Sequence, residues 1–468
     1  MDVATIDLSD PAVLGDPVGT YGRAREQGPV ARMVVPGFGE MWAVTRYAEA
    51  RAVLADPRFA LGEGTFRPPA VPEHCRKYMR TMQEMEGPEH ARLRRLVAPA
   101  FTLRQAVAFR SHVEVLVDRL LDDLPARAAA GGLGGAHGGG GAHGGGGAHG
   151  GGGAHGGGAH GGGGAHGGGA HSGGAHGGGV AGASVDLVVH FARPLPIDVI
   201  AALVGIPEAD RAAWRGYGVA VAAGHGRAFG EAIPAIIADA TAAVAARTVA
   251  PPKSAAPGAG PAAGEDLLSI LIGAAAEDGD RLTPTELITL VWHLVLAGQT
   301  PANLIANAVA ALLDHPAERA ALAADPALLT GAVEELTRFC GPQLLSLPRQ
   351  ARTDTELHGV PVAKGEAVCA VLAAANRDPR VFDRPDRLDV RRPAGPAGHL
   401  GYAHGPHFCL GAALSRVQTE VALGRLLARF PDLAAAGTGA QRVPDPATWR
   451  LAALPVTLGP SQPTGSGA

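Results

Sequence analysis

Aromatic residues make up only 4% of this 468-residue chain, too few to build the stacking platforms on which single-stranded nucleic acids are held. Basic residues are not in surplus: 40 Lys and Arg against 44 Asp and Glu leave a formal charge of −4. Without that surplus a phosphate backbone finds no counter-charge, so no nucleic-acid partner is expected. Cysteine is scarce as well. Cys75, Cys340, Cys369 and Cys409 lie far apart and offer neither a disulfide framework nor a CxxC zinc spacing. The N-terminal run Met1-Asp2-Val3-Ala4-Thr5-Ile6-Asp7 lacks the basic region and apolar stretch of a signal peptide. No run of about 18 apolar residues is there to span a bilayer. The expectation is a soluble, cytoplasmic protein with no membrane association.

Hydrophobic residues are plentiful at 46%, enough for a large core, and length alone suggests about three domains. Helical periodicity dominates, including an amphipathic stretch at 112–124. Short strand-like pieces occur at 41–45, 357–362 and 367–372. Residues 131–179 are near-repeats of Gly-Gly-Gly-Gly-Ala-His. One methyl per repeat cannot offset the entropy that so much glycine loses on ordering, so the tract reads as a flexible linker or insertion. Its eight histidines (His137, His143, His149, His155, His160, His166, His171 and His176) could converge on a divalent ion. Expansion of a short repeat is the simpler account, with weak nickel or zinc affinity as a by-product. A second loose stretch at 250–264, rich in Pro, Ala and Gly, reads as a surface loop.

The densest chemical signal is Tyr402-Ala403-His404-Gly405-Pro406-His407-Phe408-Cys409-Leu410-Gly411. Helical spacing of Ala412, Ala413, Leu414, Val417, Val421 and Leu427 follows at once. A sulfur at a helix N-terminus is favoured as thiolate by free N–H groups and the helix dipole. An anionic sulfur in a tight Gly-rich turn suits haem iron. The run resembles the haem loop of the cytochrome P450 family, Phe-Gly-x-Gly-x-His-x-Cys-x-Gly, with Tyr402 for the Phe and Ala403 for the first Gly.

The resemblance implies a single large domain over 1–468, mainly α with small β-sheets, in which 131–179 is an insertion. It implies haem b as cofactor, with Cys409 as the axial iron ligand and Tyr402 and Gly411 shaping the loop. Propionates need charge-assisted partners. His90 and Arg94, four apart on one helix face, match the family's propionate-binding helix, Arg349 a third propionate ligand and His407 a fourth. His399 fits the lead-in to the loop. Arg92 and Arg95 point elsewhere, toward an acidic redox partner or toward solvent. Glu335-Leu336-Thr337-Arg338 matches the ExxR signature, and Arg387 is expected to complete a buried Glu-Arg-Arg network with Glu335 and Arg338.

In Leu294-Val295-Leu296-Ala297-Gly298-Gln299-Thr300-Pro301 the resemblance is to the family's oxygen-activating helix, Ala/Gly-Gly-x-Asp/Glu-Thr. Ala297 and Gly298 fill the small-residue positions beside the haem, Gln299 stands for the acid and Thr300 keeps the alcohol. Gln299 can orient water but supplies no ionisable proton. Pro301 has no N–H to give the carbonyl of Ala297, so a kink and an unpaired acceptor are expected there.

The implied activity is that of a haem-thiolate monooxygenase: it uses O2 and electrons from a ferredoxin and ferredoxin reductase to hydroxylate or otherwise oxidise a small organic metabolite. A medium-sized apolar substrate of secondary metabolism, such as a polyketide, terpenoid or steroid, is expected. Its pocket should be shaped by 71–85 and 212–240. Gln299 leaves open C–C coupling, desaturation or peroxide-driven turnover. A non-catalytic haem or metal carrier built on the histidine tract is the remote alternative.

Overall fold

The computed structural model describes residues 3–62, 70–131, 183–222, 227–249, 266–277, 282–393, 395 and 398–462. The histidine tract, apart from Gly131, and the loop at 250–264 lie outside the described residues.

The site is built by eight helices: α1 (Gly87–Val97), α2 (Arg110–Ala129), α3 (Pro194–Val204), α4 (Arg211–Ala222), α5 (Pro284–Ala297), α6 (Pro301–Asp314), α7 (Leu329–Cys340) and α8 (Ala412–Arg429). Their starts are written locally. Pro88 opens α1 behind Glu86, and Pro284 opens α5 inside a Thr283–Glu286 capping box. The expected helix at 112–124 is longer than its periodic core and runs through Pro125.

One apolar cluster joins Leu93 of α1, Val117 of α2, Val199 of α3, Val291 of α5, Ile305 of α6, Leu336 of α7 and Leu423 of α8. Each is at most 1% exposed, worth about 1.5–3 kcal/mol of transfer free energy apiece. Ala128 and Val185, on either side of the tract, belong to this same cluster. The strand Ser184–Asp186 after the tract pairs with Pro455–Thr457 near the C-terminus.

A six-stranded sheet runs in the order Thr5–Asp7, Val30–Val35, Gly39–Val44, Ala367–Ala370, Arg349–Ala351, Phe59–Ala60. The strand pieces expected at 41–45 and 367–372 are neighbours in it, with Trp42 opposite Val368. The piece at 357–362 is instead a hairpin of Thr355–Leu357 and Val360–Val362. His358 and Gly359 both have positive φ (51° and 80°), the two-residue turn that suits strand twist.

Two helical stretches, Ala228–Val249 and Pro284–Asp314, are long and apolar enough on average to cross a membrane by length and composition, a test that the core helix of a soluble protein also passes. The second is 56% buried and is interrupted between α5 and α6 at the site itself.

Candidate functional site

Cys409 stands just ahead of α8, whose N-cap is Gly411. Its N–H donates to the Tyr402 carbonyl at 2.9 Å, closing the loop on itself. Cys409 lies deep in the molecule yet its side chain is uncovered. Ala297, which ends α5 after the buried run 287–296, is uncovered too. In the protein alone, burial pushes the Cys409 thiol up, and the Gly411 N–H, Arg94 and Arg416 counter this only in part. The thiolate expected from the helix dipole is therefore not favoured by the chain by itself, because Cys409 sits ahead of the N-cap in an apolar setting.

The loop's two departures from the family pattern differ in cost. Tyr402 is buried and its hydroxyl donates to Ser415 Oγ at 3.2 Å, the partner a buried phenol needs. Ala403 has φ 59°, a left-handed conformation that glycine adopts freely and alanine does not. Gly405 has φ 78°, and a Cβ there would come within 2.6 Å of the Leu54 carbonyl, so no side chain fits.

The helix α1 docks on this loop. The His90 and His407 rings stack with centroids 4.2 Å apart, and Arg94 Nη2 donates to the Phe408 carbonyl at 2.6 Å. Burial, with His407 and Arg94 nearby, lowers His90 to about 4, so at neutral pH it is an uncharged donor. Arg349 is 4% exposed. Its Nη1 reaches the Phe59 carbonyl at 3.4 Å and its Nε has no partner. A buried guanidinium with an orphaned donor is costly unless an anion completes it. The chain thus brings His90, Arg94, Arg349, His407 and Cys409 together, and this donor set fits a haem: one thiol for iron and cationic or N–H donors for two carboxylates.

Glu86 was not legible as part of this group. An acid before Gly-Pro at a helix start reads as an N-cap, yet Glu86 makes no cap bond. It accepts from the Leu61 N–H at 2.8 Å and lies 3.1 Å from His407 Nε2, at a poor angle for a hydrogen bond. Burial would raise its carboxyl, but His407, Leu61 and Arg349 hold it low.

The break between α5 and α6 falls where Pro301 predicts, but the acceptor is not left unpaired. Thr300 turns its hydroxyl back onto the Ala297 carbonyl at 3.0 Å, and its N–H reaches the same oxygen at 3.3 Å. Thr300 is the N-cap of α6 by position and caps nothing with its side chain. A Cβ on Gly298 would strike Ile200 of α3 at 2.5 Å, so helix packing by itself requires a glycine here. The Gln299 carboxamide lies over α4, where a Cβ on Gly218 would be 2.7 Å from its Oε1. Counted from Ala297-Gly298, Thr300 falls at the acid's place and Pro301 at the alcohol's. Counted from Thr300, Gly298 falls at the spacer. Either way the segment carries no carboxylate.

The buried network differs from expectation at its third member. Arg338 pairs with Glu335 through two bonds of 2.7 and 2.8 Å. Arg392, not Arg387, completes it, with Nε 2.9 Å from Glu335 Oε2. The Arg387 side chain is exposed. Only its carbonyl turns inward, accepting from Arg338 and Arg392 at 3.4 and 3.2 Å, because the neighbouring Leu388 takes the buried position. Arg92 is likewise committed within the molecule, to Glu286 of α5. His399 lies 3.2 Å from Glu334. No metal-binding group of three or more His, Cys, Asp or Glu occurs among the described residues.

The family model described as Cytochrome P450 matches residues 259–442. The chain is 37% identical to cytochrome P450 monooxygenase PikC of Streptomyces venezuelae over 94% of its own length and 91% of the relative's. It is 33% identical to the mycinamicin IV hydroxylase/epoxidase of Micromonospora griseorubida over 89% and 88% of the two chains. Among solved structures, the cytochrome P450 enzyme CxnD for C–S bond formation in chuangxinmycin biosynthesis matches at a TM-score of 0.74 with 27% identity, covering 99% of both chains.

Proposed function

The chain belongs to the cytochrome P450 family, and from that premise we propose that Cys409 is the axial thiolate of a haem b whose carboxylates are held by His90, Arg94, Arg349 and His407. The protein is an oxidoreductase of the monooxygenase type that uses haem iron, oxygen, a small-molecule substrate and an electron donor. The observation that carries the assignment of the site is the conjunction of a deep, uncovered cysteine with a buried arginine whose Nε is orphaned.

Thiolate-bound haem iron supplies the activation of oxygen. This chain's residues do the rest. Ala297, uncovered at the end of α5, would fill the small-residue position beside the haem. Thr300 holds its hydroxyl proton on the Ala297 carbonyl and would be the hydroxyl donor of this segment. With no carboxylate in the segment, protons would come through ordered water, through substrate or through another side chain. Gln299, lying over α4, orients that region rather than ionising. Glu335, Arg338 and Arg392 hold the loop's surroundings rigid without touching the chemistry.

The electron donor in this reading is a ferredoxin served by its reductase. Exposed Arg95 on α1 offers it positive charge. The setting is the cytoplasm, and the tract at 131–179 is an insertion within one domain. The substrate is a medium-sized apolar secondary metabolite, a class the mycinamicin relative supports. An oxidation other than hydroxylation is the second reading, favoured by the missing carboxylate and by the likeness to an enzyme of C–S bond formation.

The reduced, carbon-monoxide-bound spectrum of the wild type beside Cys409→Ser tests the central claim. A long-wavelength Soret band of thiolate-ligated haem, lost in the variant, is expected. A histidine-type band, or one indifferent to the substitution, overturns it. Turnover of the same preparation under labelled oxygen separates hydroxylation, which places label in product, from the second reading.

A further inference from the structure

Glu86 puts a carboxylate among the side chains assigned to the carboxylates of haem. It precedes α1, where an acid is expected to cap the helix, yet it makes no cap bond. Its Oε1 accepts instead from the Leu61 N–H at 2.8 Å and lies 3.1 Å from His407 Nε2. The strand Phe59–Ala60 pairs with Arg349–Ala351, Ala60 opposite Gln350, so Leu61 comes level with Arg349. Glu86 therefore reaches the His407 and Arg349 sides of the group together. His407, Leu61 and Arg349 keep its carboxyl ionised against burial. It satisfies neither side chain in return. His407 Nε2 and Arg349 Nε are both buried and have no hydrogen-bond partner among the described residues.

We infer that Glu86 is a third negative charge beside the two that haem brings to this group, and that it weakens the hold of the chain on its cofactor. The inference rests on the haem-thiolate reading and on its assignment of His90, Arg94, Arg349 and His407. Two effects compete. A carboxylate can orient His407 and Arg349 toward the cofactor, or it can offset their charge and repel the cofactor's own carboxylates. Orientation needs directed hydrogen bonds, and Glu86 directs its bond at the Leu61 backbone. Repulsion needs only proximity in a partly buried setting. Repulsion wins. The substitution Glu86→Gln isolates it, because glutamine keeps an oxygen for the Leu61 N–H and loses the charge.

Transfer of haem from the loaded full chain to excess apomyoglobin decides it, with a redox titration of the same preparations. Glu86→Gln is expected to lose haem about tenfold more slowly than wild type. Removing a negative charge near the haem also favours the reduced form, so the ferric–ferrous equilibrium should move about threefold toward ferrous. Glu86→Asp keeps the charge and should stay within about twofold of wild type in that equilibrium. A substitution that merely repacked the start of α1 would alter haem loss and leave the equilibrium alone. Faster or unchanged haem loss in Glu86→Gln, slower loss without the ferrous shift, or equal shifts in the Gln and Asp variants overturn the inference. If Glu86→Gln does not fold, Glu86→Ser, which restores an N-cap to α1, carries the same two expectations. A wild type without the thiolate-type carbon-monoxide band instead condemns the haem-thiolate reading itself.

Discussion

His293 shows what a single buried side chain can cost. It sits in α5 with neither ring nitrogen partnered, and burial lowers it from 6.5 to about 4. His90 is lowered to a similar value. The unfolded chain then binds more protons than the folded one between these limits. Stability is fully present above pH 6.5 and drains as pH falls toward 4. His293→Leu should remove one of these terms: thermal melts should show it more stable by about 1–2 kcal/mol at pH 7, and less sensitive than wild type to acidification from pH 7 to 5. A variant as acid-sensitive as wild type would show that His293 finds a partner in solution. Ala403 is the second residue-scale liability. Ala403→Gly should raise stability by about 0.5–1 kcal/mol in the same assay, since relief of a left-handed alanine outweighs the added chain entropy.

At the scale of elements, α7 is held to the segment after it by Glu335. That carboxylate accepts from Arg338, Arg392 and the Asp389 N–H and is 3% exposed. Taking one cation from a buried pair leaves an uncompensated charge. Arg392→Leu is therefore expected to cost about 3–5 kcal/mol in denaturant unfolding. Arg387→Leu, on the surface, should stay within about 0.5 kcal/mol. Equal losses at the two positions would restore Arg387 to the network. The ExxR pair was readable because i and i+3 share a helix face. The third arginine was not, because sequence spacing does not say which of Arg384, Arg387 and Arg392 turns inward; the fold gives the place to Arg392.

For the whole molecule, the question is whether the histidine tract matters to the rest. The segments flanking it, α2 and Ser184–Asp186, pack into the common helical core and pair with the C-terminal strand respectively. A short linker in place of 132–182 should leave the thermal midpoint within a few degrees, with haem content unchanged. Loss of haem on deletion would give the tract a role in loading the cofactor.

The sequence by itself determined the ligand loop, the His90–Arg94 pair, the ExxR pair and the Pro301 break, because each is a short-range pattern whose spacing carries its own geometry. It also fixed the helical class through periodicity. Only the tertiary structure decided that Glu86 leaves its cap to join His407, that Arg92 is committed to Glu286, that Arg392 displaces Arg387, and that Thr300 satisfies the carbonyl Pro301 frees. Those outcomes depend on where long, flexible side chains end after distant segments meet, and no local spacing encodes that.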